Sequence, residues 1–241
     1  MKRILIAAFI FSIIISSCHF FGHKTIRGNG VVKSEVRAVG AFTNVDVSGN
    51  INVYVKQDSA SSVKVEADED LLQYIKIEVD GNTLQIKPEN GINLKSSQGI
   101  KVYVSNPSYK NFEASGASDI FSENKITSKE AIDIDLSGAS NAEIELHTPA
   151  VEADLSGASG IILRGETKNF KADGDGASGI KCFELLSEET DVEVSGASHA
   201  KVFASVKLSA KASGASGIEY KGNPPSLGQS SSGASSIRKS E

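Results

Sequence analysis

Ser137-Gly138-Ala139-Ser140, preceded by Ile132-Asp133-Ile134-Asp135-Leu136 and followed by Ala142-Glu143-Ile144-Glu145-Leu146, is the stretch on which the fold turns. On both sides of the glycine, apolar and polar residues alternate with period two, the pattern of a strand with one face inward. The tetrapeptide recurs as Ser115-Gly116-Ala117-Ser118, Ser156-Gly157-Ala158-Ser159, Asp175-Gly176-Ala177-Ser178, Ser195-Gly196-Ala197-Ser198, Ser213-Gly214-Ala215-Ser216 and Ser232-Gly233-Ala234-Ser235, at steps of 18 to 22 residues. Antiparallel hairpins would tolerate loops of drifting length. A backbone that returns to its start every ~20 residues keeps the period, because its turns stack at the ~4.8 Å strand spacing and equivalent residues form columns. The sequence therefore predicts an all-β fold, a right-handed single-stranded parallel β-helix. Gly116, Gly138, Gly157, Gly176, Gly196, Gly214 and Gly233 would sit at the repeat turns, where a sharp bend favours a residue without Cβ. The alanine is expected to fill a tight inward corner, and the serines to bond backbone groups or one another.

Counting from each glycine gives the columns. Four positions on, Ile120, Ala142, Ile161, Ile180, Ala200, Ile218 and Ile237 point inward. Two positions later come Ser122, Ile144, Leu163, Cys182, Val202 and Tyr220, which makes Cys182 a packed, unreactive thiol. Before the turns, the outward columns hold Asp133, Asp135, Glu152, Asp154, Asp173, Asp191 and Glu193 as an acidic stripe, relieved by Lys171 and Lys211. This is a candidate face for a weak cation or a cationic partner. Flat ladders, however, do not converge the six or more oxygens that Ca²⁺ takes, and a solvated strand face is the plainer reading. No metal or cofactor is expected. The four histidines are scattered and show no ligand spacing.

Residues 31–110 are less regular. Val45 to Val55, with Ser48-Gly49-Asn50 at a turn, reads as a divergent repeat, yet Gly49 precedes Gly116 by 67 residues, which is no whole number of periods. An all-β region that continues or caps the helix, with some antiparallel pairing, is expected there. Ile75 to Val79 and Leu84 to Ile86 flank Asp80-Gly81-Asn82 as strand, tight turn, strand. Asp68 to Tyr74 reads as one helical turn capped by Asp70. The last coil follows Pro224-Pro225, is poor in apolar residues, and is expected to be a frayed or capping end.

At the amino terminus, Lys2 and Arg3 precede an apolar run from Ile4 to Ile15. It is too short to cross a ~30 Å hydrocarbon core and reads as a secretory leader. Its end, Ile15-Ser16-Ser17-Cys18, resembles the lipobox of bacterial lipoproteins. That resemblance implies cleavage before Cys18 and acylation of Cys18, each buried methylene adding about 0.8 kcal/mol of membrane affinity. The chain then divides into a lipoprotein signal peptide (1–17), a lipidated cysteine with its tether (18–30), an N-terminal β region (31–110) and the β-helix (111–241).

The lipobox, the run from Phe42 through Asn44, Asp46, Gly49 and Asn52 to Val53, and the serial turns together resemble the putative auto-transporter adhesin, head GIN domain family, over residues 35–220. The resemblance implies an exported, lipid-anchored protein of Bacteroidota and supplies no catalytic residues. With 25 basic and 30 acidic residues and a net charge of -5, the chain lacks the basic stripe that nucleic-acid binding needs. The expectation is a lipid-anchored cell-envelope binding module, an adhesin rather than an enzyme. Its partners would be the membrane, through the anchor, and a glycan or envelope protein. A self-associating structural β-helix is the alternative, and a polysaccharide lyase or hydrolase a second. An enzyme of that second kind needs two carboxyls about 5–9 Å apart across a cleft. Asp133/Glu152 and Asp135/Asp154 approach each other through regular stacking, as every neighbouring pair does, and the short loops leave no evident cleft walls. His19, where an Asp would mark inner-membrane retention, points to the outer membrane.

Overall fold

In a computed structural model, which describes residues 24–240, the chain is an all-β solenoid. The leader and Cys18 lie outside the described residues. Within them, no helix is long and apolar enough to cross a membrane. Ile132–Leu136 pairs in parallel with Val151–Leu155, and the long strands Asn141–Leu155, Gly160–Gly174 and Gly179–Val194 pair in parallel along almost their whole length. Each bends around a corner of the coil. The inward column read from the sequence is the one that packs: Ile120, Ala142, Ile161, Ile180, Ala200 and Ile218 are register partners in succession and all buried. Burying one such branched side chain is worth about 1.5–3 kcal/mol, so a stack of them supplies the axis of the core.

The turn glycines need both properties that glycine offers. From Gly116 to Gly233 their φ lies between 71° and 78°, in the left-handed region. A Cβ built on Gly157 would also stand 2.6 Å from the carbonyl oxygen of Gly138 in the coil below. That oxygen accepts a 2.7 Å bond from the Ala158 amide, a contact repeated at each turn. The expectation for the alanine is overturned. Ala117, Ala139, Ala158, Ala177, Ala197 and Ala215 are exposed, and the serine that follows each one turns inward. Ser118, Ser140, Ser159, Ser178, Ser198 and Ser216 are buried. A buried hydroxyl is accommodated because carbonyls sit within reach: Ser140 Oγ donates to Ala114 O at 3.0 Å and Ser137 O at 2.9 Å, and Ser216 Oγ to Ser213 O at 2.7 Å.

The first coils are stacked out of chain order. Asn44–Val47 lies between Asn111–Ala114 on one side and Thr83–Pro88 on the other, in parallel with both. Ile51–Gln57 likewise lies between Asp119–Ser122 and Ile100–Asn106. The chain thus lays down its second coil, drops back to make the first, and then returns to lay the third. Gly49 joins the glycine column directly: its carbonyl oxygen would stand 2.9 Å from a Cβ on Gly116. The broken period measures this detour.

Antiparallel strands close the amino-terminal end. Ile75–Asp80 pairs with Thr83–Pro88 as the expected hairpin, Ser62–Asp68 covers Ile100–Asn106, and Val32–Arg37 covers Ser62–Asp68. The helical turn is a 3-10 turn, Leu72–Tyr74, without a side-chain cap. Asp70, expected as that cap, instead accepts the Asn29 amide at 3.1 Å. Part of the stretch read as tether is also structured, since Lys24–Arg27 pairs in parallel with Ile92–Lys95. Asp68 locks this corner. Its buried carboxylate accepts bonds from Gly30 N (2.7 Å), Ser96 Oγ (2.5 Å), Ser97 N (3.0 Å) and Ser97 Oγ (2.7 Å). Those donors hold its pKa well below the ordinary carboxylate range.

At the other end, the last coil is not frayed. Ser226–Ser231 and Ser236–Lys239 are in-register strands. Their core-side positions continue the apolar columns at Leu227 and Ile237 but place Gln229, Ser231 and Lys239 above Ala210, Ala212 and Tyr220, which is how a capping coil blunts an open edge.

Candidate functional site

Three outward surfaces carry chemistry. The first is the acidic stripe. Glu113, Asp135, Asp154, Asp173 and Glu193 are successive register partners, and so are Asp133, Glu152, Lys171 and Asp191, as read from the sequence. Asp46 extends the first row below Glu113. Partial burial between the coils, more than the neighbouring carboxylates, pushes the pKa values of Glu113, Asp133 and Asp154 upward. Lys171 bonds Glu152 and reaches Asp173 at 3.4 Å, and Lys211 reaches Glu193 at 3.1 Å. Among the described residues no three His, Cys, Asp or Glu side chains converge as a metal site would require. Glu113, Asp135, Asp154, Asp173 and Asp175 instead line an open trough of about 460 Å³.

On the strand that follows each turn lies the second surface, one unbroken outward row: Val36, Lys64, Tyr103, Tyr54, Phe121, Glu143, Ile162, Lys181, Lys201, Glu219, Arg238. Tyr103, Tyr54 and Phe121 stack at centroid spacings of 5.2 and 5.3 Å, with Lys64 over the Tyr103 ring. Arg164 pairs with Glu143 at 2.6 Å and Glu184 at 2.9 Å. Stacked rings of this kind stabilise a sheet face across strands.

The third surface was missed in the sequence, where short loops suggested no cleft. At the far corner of the coils, Thr148, Thr167 and Ser187 turn inward and are buried. Thr148 Oγ1 donates to Glu130 O at 2.6 Å, and Ser187 Oγ meets Thr190 Oγ1 at 2.7 Å. Because these corner side chains are short, the wall recedes there. The result is a groove of about 630 Å³ that runs across several coils, from Ser128 through His147, Glu166 and Lys168 to Leu186 and Phe203. His147 Nδ1 lies 3.5 Å from Glu166 Oε2. The available signal was the column ten positions after the glycine, where Thr148 and Thr167 replace apolar residues.

Cys182 contributes to none of these surfaces. It is fully buried, and burial pushes its thiol up to about 12, which leaves it without thiolate character.

The family model described as "Putative auto-transporter adhesin, head GIN domain" matches residues 41–224. Among solved structures, a putative adhesin from Bacteroides fragilis superposes with TM-score 0.84 at 20% identity, covering 89% of this chain and 100% of its own. A putative lipid binding protein from Parabacteroides distasonis gives TM-score 0.76 at 22% identity, covering 90% and 100%. A putative adhesin from the same organism gives 0.71 at 22% identity, also covering 90% and 100%. At these identities the likeness is one of fold. No curated protein matches the chain.

Proposed function

This chain belongs to the putative auto-transporter adhesin, head GIN domain family, and from that premise we propose that it is a lipid-anchored, non-catalytic binding module of the bacterial cell envelope. The observation that carries the reading is the groove. Its lining mixes hydrogen-bonding groups (Ser128, His147, Glu166, Lys168, Glu188) with the apolar Leu186 and Phe203. It runs along the solenoid axis, so successive coils offer equivalent contacts at the ~4.8 Å strand spacing. An extended envelope glycan suits such a surface, with hydroxyls meeting the polar groups and a sugar face meeting Phe203.

The case against catalysis rests on regularity. A glycosidase sets two carboxyls in different environments across a cleft, whereas the carboxylates of the acidic stripe repeat evenly on open strands and the groove's Glu166 lies against His147. Acylation at Cys18 would hold the module at the outer membrane.

Glycan-array binding by the full chain tests the reading, with Lys168→Ala and Glu188→Ala as groove variants. Both are expected to weaken the retained glycan several-fold with an unchanged unfolding midpoint. Steady release of reducing ends from any bound polysaccharide would refute it. For the anchor, incorporation of labelled palmitate is expected in the wild type and lost in Cys18→Ser. Protease shaving of intact cells then reports which side of the outer membrane the groove faces.

A further inference from the structure

We propose that a second copy of this chain docks on the flank carried by Lys181, Lys201 and Lys221, meeting it with the trough formed by Glu113, Asp135 and Asp154. Lys181 and Lys201 are register partners, and Lys221 follows one coil later, paired with Phe203. The Phe183 ring lies among them, with Lys201 Nζ 5.8 Å and Lys221 Nζ 5.0 Å from its centroid. Among the described residues Lys201 has one carboxylate in reach, Glu219 at 3.9 Å, which Arg238 already holds at 2.5 Å. Lys181 and Lys221 have no ion pair among the described residues. Beside them is a shallow hollow of about 210 Å³, lined in part by Ile162 and Phe183. A half-buried aromatic centre with a cationic rim has the make-up of a protein interface.

Charge complementarity identifies the occupant. The trough has the opposite sign, and Glu113, Asp135 and Asp154 have no ion pair among the described residues; Lys171 serves only its Asp173 end. The two patches also share a pitch. The carboxylates, and Lys181 with Lys201, advance by one residue per coil at the same ~4.8 Å, because one backbone builds both. Lys181 and Lys201 therefore meet two successive carboxylates in step, with Lys221 set two residues along on the next coil, a spacing that an arbitrary acidic protein would not match. The lysines follow the turn glycine and the carboxylates precede it, so the patches lie on opposite sides of that turn. Each copy offers one patch to each of two neighbours, a heterologous contact that grows side by side.

Sedimentation velocity on the full chain in mild detergent tests this. Wild type is expected to associate beyond a dimer at low salt and to weaken at least tenfold at about 0.5 M salt, where the Debye length is only a few ångströms. The K181E/K201E/K221E and D135K/D154K variants, altered only at solvent-facing positions, should each remain monomeric with wild-type circular dichroism. Their equimolar mixture should associate again. A monomeric wild type at about 100 µM and low salt, association that survives either variant, or a mixture that stays monomeric would each overturn the proposal.

Discussion

Replacing Gly157 by alanine tests the stacking of the turns at its most constrained atom. The glycine has φ 78°, and placing an L-residue in that region costs about 1–2 kcal/mol. The new Cβ would stand 2.6 Å from Gly138 O, well inside any ordinary contact. That carbonyl cannot withdraw freely, because it accepts the Ala158 amide at 2.7 Å. Displacing it weakens a bond worth about 1 kcal/mol. The combined loss is about 2–3 kcal/mol, or about 4–12 °C in midpoint for a chain of this size. Gly179→Ala is the matched control: its φ is not positive and its Cβ would meet nothing within 4 Å, so a change within about 0.5 kcal/mol is expected. Gly233→Ala repeats the geometry of Gly157, with φ 74° and a 2.8 Å approach to Gly214 O, in a terminal coil that has one neighbour. It should cost less, because that coil can peel away alone. Urea unfolding followed by circular dichroism measures all three. Equal losses for Gly157→Ala and Gly179→Ala would refute the argument that the turns stack through their glycines.

Asp68→Ala strips the acceptor from four donors at a buried corner and should destabilise by about 3 kcal/mol, read by urea unfolding. Because the folded state depresses the Asp68 pKa, its stabilisation is complete above the unfolded value near 4 and is lost as pH falls below it. The gap between wild type and Asp68→Asn should therefore narrow steadily in thermal melts taken towards pH 2. Asp154 has the opposite sign: its raised pKa makes ionisation unfavourable to the fold. Asp154→Asn should give a small gain in midpoint at pH 7 that disappears as pH is lowered through the folded pKa towards 4. Cys182 should resist an aromatic disulfide reagent in native buffer and react at once in denaturant, and Cys182→Ala should cost about 1–2 kcal/mol through the cavity it leaves.

The β-helix was legible because its constraint is periodic: each glycine, each inward isoleucine and each outward aspartate repeats an equivalent position, so the sequence displays the register directly. The alanine was misread because smallness alone does not say which way a side chain points. At this turn the hydroxyl goes inward, where the Ala114 and Ser137 carbonyls receive Ser140, and the methyl goes outward. The order of the first coils was hidden for a different reason. Stacking Asn44–Val47 between Thr83–Pro88 and Asn111–Ala114 is a long-range choice, and a period records only neighbours laid down in succession. The acidic stripe was legible residue by residue. The groove was not, because a receding corner is made by what Thr148, Thr167 and Ser187 lack in length rather than by any charged or catalytic residue type.

Both ends of the solenoid carry charged or polar groups on the core side that oppose axial growth, which favours association on its flanks. At the amino-terminal end one edge strand, Ile75–Asp80, keeps the apolar Ile77 and Val79 on the core side, but the other, Val32–Arg37, pairs Lys33, Glu35 and Arg37 with the buried Ala67, Val65 and Val63. Charges thus stand on the core side, and a further coil would have to bury them. At the carboxy-terminal end Gln229, Ser231 and Lys239 interrupt Leu227 and Ile237 above the last apolar layer. Inward charges at a sheet edge are a recognised defence against edge-to-edge pairing, and desolvating such charged groups costs far more than one strand contact returns. The ladders on the flanks carry no such defence. Their charges face outward and remain solvated at the rim, and Phe183 and Ile162 give the lysine flank an apolar centre. A partner, whether glycan in the groove or second copy on the lysines, therefore meets the long sides of the molecule, where every contact it makes recurs one coil further on.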